Sequence, residues 1–308
     1  MRPRAPRPAV SAGGLTADHG SDLSPADEAL LRGPPPARAI AWCERAAGAR
    51  TVAVAPLRGG TSSAVHALSF AGGRELVLRR FVRTDWLADE PDAPAREVAA
   101  LDIAERCAVP TPRLVAADPE GAEAGDPAVL TTRLPGAVVW RPPAVEPFLE
   151  GLAALLPAIH DTPAAPGDLP AYAPYPLETD EPPPGARDRG VWHAAFALFA
   201  AEPPPAPAVF LHRDFHPGNV LWADGAVTGL VDWASAAIGP AAADAGHCRW
   251  NLARTLGQDA ADRFLALCGL AYHPYWDVVA ALGGYGAAGL AAKPPIEEAF
   301  LAAAVRPA

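Results

Sequence analysis

No stretch of this sequence approaches the roughly 20 apolar residues that a membrane-spanning helix needs, because proline and polar residues interrupt every apolar run. No membrane partner is expected. Cysteine is scarce as well: Cys43, Cys107, Cys248 and Cys268 are the only four, and none stand in C-x-x-C spacing. Neither a zinc site nor a disulfide framework is signalled, and they read as small buried hydrophobes. Basic charge is also short, with 25 Lys and Arg against 35 Asp and Glu for a formal charge of -10. Clustered basic residues are what a phosphate backbone binds, so nucleic acid is not expected as a partner. The basic start, Met1-Arg2-Pro3-Arg4-Ala5-Pro6-Arg7-Pro8, lacks the apolar segment of a secretory signal, which leads to an expected cytoplasmic location. No repeat of about 20 to 50 residues is present, so solenoids and propellers are excluded.

What the chain does have is enough apolar material for two lobes: 50% of its 308 residues are hydrophobic and 19% charged. Its 37 prolines predict long connectors. Residues 1–36, rich in Pro, Gly and charge without periodicity, read as a disordered tail. A helix is expected near 37–47, then strands at 51–57, 64–70 and 76–81 with glycine turns between them. Val98, Leu101, Ile103 and Ala104 recur at helical spacing until Pro110 and Pro112 stop the pattern. Strands at 113–117 and 128–133 follow, and Leu134-Pro135-Gly136 makes a natural hinge. Residues 37–135 thus form an antiparallel sheet with one main helix, and 136–308 a mostly helical part. Within it Leu149, Leu152, Leu156 and Ile159 line one helix that Pro157 bends, and 162–188 is a proline-rich surface excursion. Further helices are expected at 191–201, 241–256, 259–270 and 296–305. The fold class is α+β.

The chemistry concentrates after the apolar run Val209-Phe210-Leu211, where His212-Arg213-Asp214 is followed five residues later by Asn219. In phosphoryl transfer the acceptor hydroxyl must be oriented and must lose its proton, which one carboxylate in a short loop can do; Asp214 has that character. An amide oxygen such as that of Asn219 can ligate magnesium, which also needs a harder ligand. The stretch from Asn219 to Trp233 reads as a hairpin turning at Asp224-Gly225, which returns Asp232 beside the loop. His212 reads as a core histidine bonded to the loop backbone. His212, Asp214 and His216 also spell H-x-D-x-H, a transition-metal pattern, but further clustered ligands are lacking nearby.

These segments resemble the catalytic and metal-binding segments of the aminoglycoside phosphotransferase and choline kinase family, distant relatives of protein kinases. The resemblance runs over about residues 51–256 and implies a two-lobed protein-kinase-like fold. It implies Asp214 as base with His212 positioning the loop, Mg2+ on Asn219 and Asp232, and ATP or GTP as phosphate donor. Gly239-Pro240 and Asp244 are similar to the family's turn and loop-bracing aspartate, although the turn is compressed and Ala245 follows. Gly59, Gly60 and Ser62 fall where a loop covers the phosphates. In Leu76-Val77-Leu78-Arg79-Arg80-Phe81, Arg79 occupies the place where many relatives carry a phosphate-gripping lysine. Strand alternation sends Arg79 and Arg80 to opposite faces, so Arg80 competes for that role. Glu97 is implied to pair with Arg79, and Leu130-Thr131-Thr132-Arg133 to offer backbone groups to the base. The partner implied is a small hydroxylated substrate; its identity and the oligomeric state stay open. A pseudokinase that binds nucleotide without turnover is the rival reading, suggested by arginine in the lysine's place.

Overall fold

The computed structural model describes residues 24–57, 59–60, 62–283, 285 and 294–306. Order begins earlier than the composition implies. Ser24 accepts a hydrogen bond from the Asp27 amide, Pro25 fills the first turn, and α1 (Pro25–Arg32) follows with Leu31 fully buried. This corrects the tail expected through residue 36 for its last part; residues 1–23 of that tail lie outside the described residues. After Pro34-Pro35-Pro36 comes α2 (Ala37–Ala47), which ends on Gly48 at φ 67°.

A five-stranded antiparallel sheet is built from β1 (Thr51–Pro56), β2 (Ala64–Phe70), β3 (Glu75–Arg80), β4 (Leu114–Asp118) and β5 (Ala128–Thr132). Its order is β1-β2-β3-β5-β4, so β3 is central, with Arg79 opposite Val65 on one side and Val129 on the other. Two helices interrupt the sheet where one was expected: α3 (Thr84–Asp89) and α4 (Ala93–Ala104). The shorter one carries too few apolar residues for periodicity to reveal it.

The second half is mainly helical, with α5 (Val145–His160) and α6 (Arg189–Phe199) before the site, then α7 (Ala242–Thr255), α8 (Gln258–Cys268), α9 (Tyr275–Leu282) and α10 (Pro294–Val305). Five short strands sit among them: β6 (Ala137–Val138), β7 (Ala208–Leu211), β8 (Val220–Ala223), β9 (Ala226–Leu230) and β10 (Ala237–Pro240). The hinge glycine is required: Gly136 sits at φ 99°, and a Cβ there would come within 2.7 Å of the Trp222 carbonyl oxygen. The 162–188 excursion is irregular as expected but anchored. Leu169 is buried, the Tyr172 amide donates to Ile238 O at 2.8 Å, and the Ile238 amide donates to Pro170 O at 2.9 Å. No helix among the described residues is long and apolar enough to cross a membrane.

Packing in this half fixes the helix that braces the site. Phe210 and Trp233 stack with centroids 5.3 Å apart, seating β7 against the segment after β9. Gly246 lets α7 touch α9 closely, since a Cβ there would lie 2.6 Å from the Trp276 carbonyl oxygen. Gly246→Ala is therefore expected to push the helices apart and destabilise the protein by about 1–3 kcal/mol, read in urea unfolding. A variant as stable as the parent would show that α7 shifts at no cost.

Candidate active site

The loop after β7 is held by one buried carboxylate. Asp244, in the first turn of α7 and fully buried, accepts the His212 amide at 3.1 Å, the Arg213 amide at 2.7 Å and His160 Nε2 at 3.0 Å. Arg213 needs that grip because its φ of 66° lies in the left-handed region, a conformation that costs a non-glycine residue about 1–2 kcal/mol. Its guanidinium is also committed, donating to Ala173 O at 3.0 Å and lying 4.6 Å from the Tyr175 ring centroid. The proline-rich strap therefore backs the loop. His212 is fully buried, with Nε2 2.9 Å from Val231 O, and burial pushes its pKa down. It reaches no solvent and joins the loop to the residue before Asp232.

Asp214 projects from this braced loop about a third exposed. Asn219 Nδ2 donates to its main-chain oxygen at 2.8 Å and to Oδ2 at 3.1 Å. On the other side Oδ1 lies 3.1 Å from His247 Nε2 and 3.6 Å from His216 Nε2. Burial pushes the Asp214 pKa up, but His216 and His247 outweigh it, and the carboxyl is held well below its ordinary range. It is a carboxylate at neutral pH.

The hairpin that returns Asp232 is built as its sequence implies. β8 and β9 are joined by Asp224 at φ 51° and Gly225 at φ 78°, the positive pair of a type I′ turn. The Val231 amide then donates to Asn219 O at 2.9 Å, which sets Asp232 next to the loop that carries Asp214. Since Asn219 spends its amide nitrogen on Asp214, its Oδ1 is turned away from that residue. Together with the partly exposed Asp232 carboxylate it offers the hard oxygen donors that suit Mg2+.

From the sheet side, Arg79 donates to Ser63 Oγ at 3.1 Å, Glu97 Oε1 at 3.1 Å and Asp232 Oδ1 at 2.5 Å. Arg80 points to the opposite face and pairs with Asp126 at 2.7 Å, so alternation on β3 selects Arg79 for the cleft. Burial raises the Glu97 pKa and Arg79 pulls it back. The glycine turn lies between β1 and β2. Gly59 has φ 116°, and Arg32 of α1 clips the turn by donating to Gly60 O at 2.8 Å. Arg58 and Thr61 of that loop lie outside the described residues. From its far end Ser63 Oγ accepts from Arg79 Nε. His247 and the Tyr172–Tyr175 strap escaped the sequence reading; the H-x-D-x-H run was a partial signal, since its last histidine does stand at Asp214.

The profile of the phosphotransferase enzyme family matches residues 53–282. Among curated protein sequences none matches the chain. Solved structures with the same fold include aminoglycoside phosphotransferase APH(4)-Ia in a complex with AMP-PNP and hygromycin B, 16% identical, TM-score 0.64, covering 88% of this chain and 98% of that one. Macrolide 2'-phosphotransferase MphH from Brachybacterium faecium is 18% identical, TM-score 0.55, with 89% and 99% covered. A GDP complex of aminoglycoside 2'-phosphotransferase-IIIa is 16% identical, TM-score 0.53, with 75% and 82% covered. With most of its length matched by that profile, the chain belongs to the phosphotransferase enzyme family, as a small-molecule kinase with a protein-kinase-like fold.

Proposed function

We propose that this protein transfers the γ-phosphoryl group of ATP or GTP to a hydroxyl of a small molecule, with Asp214 as the base. The observation that carries this reading is the convergence of Asp214, Asn219 and Asp232 on one loop and hairpin. Phosphoryl transfer is mostly positioning and charge compensation, and each group has a place in it. Asp214 orients the acceptor hydroxyl and takes its proton. Arg79, oriented by Glu97 and Ser63, supplies a guanidinium fork for phosphate oxygens. Asn219 and Asp232 would hold Mg2+, which when bound neutralises charge on the transferring phosphate.

The related structures bind AMP-PNP with hygromycin B in one case and GDP in another, which supports a nucleotide donor and a small-molecule acceptor. A nucleotide-binding pseudokinase is the second reading, favoured by the Arg79–Asp232 pair, which ties up one oxygen of a metal-ligand candidate. Thermal denaturation separates the two when followed by a turnover assay. At a hundred times Kd a nucleotide with Mg2+ is expected to add about 2.7 kcal/mol of stability. A panel of amino alcohols, sugars, macrolides and aminoglycosides should then show phosphate transfer to at least one member. Stabilisation by nucleotide without turnover on any acceptor would favour the pseudokinase, and no stabilisation by ATP or GTP would overturn both.

A further inference from the structure

Asp214 is gripped from both sides, and the second grip comes from a helix. On one side Asn219 holds Oδ2; on the other His247 Nε2 stands 3.1 Å from Oδ1. A lone carboxylate rotates freely about its Cβ–Cγ bond, and a base must aim one lone pair at the hydroxyl proton it removes. Neighbours on both oxygens stop that rotation. His247 lies three residues after Asp244 on α7, so the two side chains leave the same helix face. The first turn of α7 therefore holds the loop's backbone through Asp244 while its next turn meets the carboxylate through His247. His247 is about a third exposed, which sets it at the open side of the loop.

His216 completes the surround. Its Nδ1 accepts the Gly218 amide at 3.0 Å, so in the neutral ring the proton sits on Nε2, which faces Asp214 at 3.6 Å. Trp140 flanks the ring at 5.5 Å and the His247 ring lies 5.7 Å away. The ligand atoms of Asp214, His216 and His247 lie within 4.8 Å of one another, a spacing that also suits a transition metal. Metal binding at His216 Nε2 needs a lone pair there, and the Gly218 bond places a proton on that nitrogen instead. The geometry favours clamping the carboxylate over ligating an ion.

We propose that His247 is a positioning residue which, opposite Asn219, fixes the plane of the Asp214 carboxylate for proton removal from the acceptor. The inference rests on Asp214 being the base. It is tested with His247→Ala, His247→Gln and, in parallel, Asp214→Asn, by measuring phosphate release from Mg·ATP and Mg·GTP with water as acceptor and by crystal structures of each variant. His247→Ala is expected to lower kcat about ten- to a hundredfold with KM for nucleotide unchanged, the cost of a misaligned reacting group. Its Asp214 carboxylate should be rotated or split between rotamers. Glutamine, which carries an N–H at a similar reach, should restore much of the rate and the rotamer. An unmoved carboxylate with unchanged kcat in His247→Ala overturns the proposal. So does inhibition of the parent by micromolar Zn2+ that His247→Ala abolishes, which would make the cluster a metal site. If Asp214→Asn keeps full turnover, the assignment of the base fails and not merely the role of His247.

Discussion

Asp214→Asn is expected to lower kcat by about two to four orders of magnitude, the range that a positioned general base contributes. Asparagine has the shape of aspartate and keeps a carbonyl oxygen for the Asn219 amide, so the bond at 3.1 Å survives in one amide orientation. What is lost is the anion. The pKa of this carboxyl is already held below the ordinary range by His216 and His247, so the parent is ionised through the neutral region and the substitution removes a full charge there. The fold should survive, because the loop backbone is held by Asp244 and its three donors, none of which involves the Asp214 side chain. Some stability at neutral pH should be lost with the charge, since His216 and His247 favour the ionised carboxylate in the folded state. KM for nucleotide should hold as well, since in the proposed function the phosphates are gripped by Arg79 on the sheet and not by Asp214. Activity measured on any acceptor found by the panel decides the matter: undiminished kcat in this variant would remove Asp214 from the mechanism.

Much of this site could be read from the sequence because its parts are local. Asp214 and Asn219 share one loop, and Asp224-Gly225 demands a two-residue turn whose strands can only return Asp232 to the same place. The choice between Arg79 and Arg80 needed only to know which face of β3 meets the cleft, and the Asp126 partner of Arg80 answers it. His247 was illegible for a different reason. It sits in an alanine-rich helix where no periodic or motif signal marks it, and its meaning comes from the docking of α7 under the loop. The strap was illegible too: proline-rich sequence predicts irregular backbone correctly, yet cannot say that Tyr172 will bond to Ile238 or that Tyr175 will lie over Arg213. The tail misled because α1 is short and mostly exposed, with Leu31 as its one fully buried residue. Elements whose stability is supplied by distant partners leave little trace in their own residues.

Arg79→Met is expected to produce the largest combined loss of stability and nucleotide binding. Arg79 is 8% exposed and its guanidinium serves Ser63, Glu97 and Asp232 at once, while Glu97 is 6% exposed. Removing the cation leaves a buried carboxylate unpaired, a change that costs about 3–5 kcal/mol. The loss should depend on pH in a defined direction. Burial already lifts the Glu97 pKa above its unfolded value, and without Arg79 nothing pulls it back, so the folded state of the variant holds a proton that the unfolded chain releases earlier. Stability carried by that proton is present at low pH and disappears as pH rises through the folded pKa. Urea unfolding should therefore show a larger deficit at about pH 8 than at about pH 5. Nucleotide affinity should fall about ten- to a hundredfold, as expected for losing charged hydrogen bonds to phosphate, and titration calorimetry with Mg·ATP measures it. Arg79→Lys separates charge from geometry. A lysine keeps the cation beside Glu97 but has no planar fork to span three partners, so it should recover most of the stability and only part of the affinity. If Arg79→Met binds Mg·ATP as tightly as the parent, Arg79 is a structural ion pair and the phosphate grip lies elsewhere on the sheet.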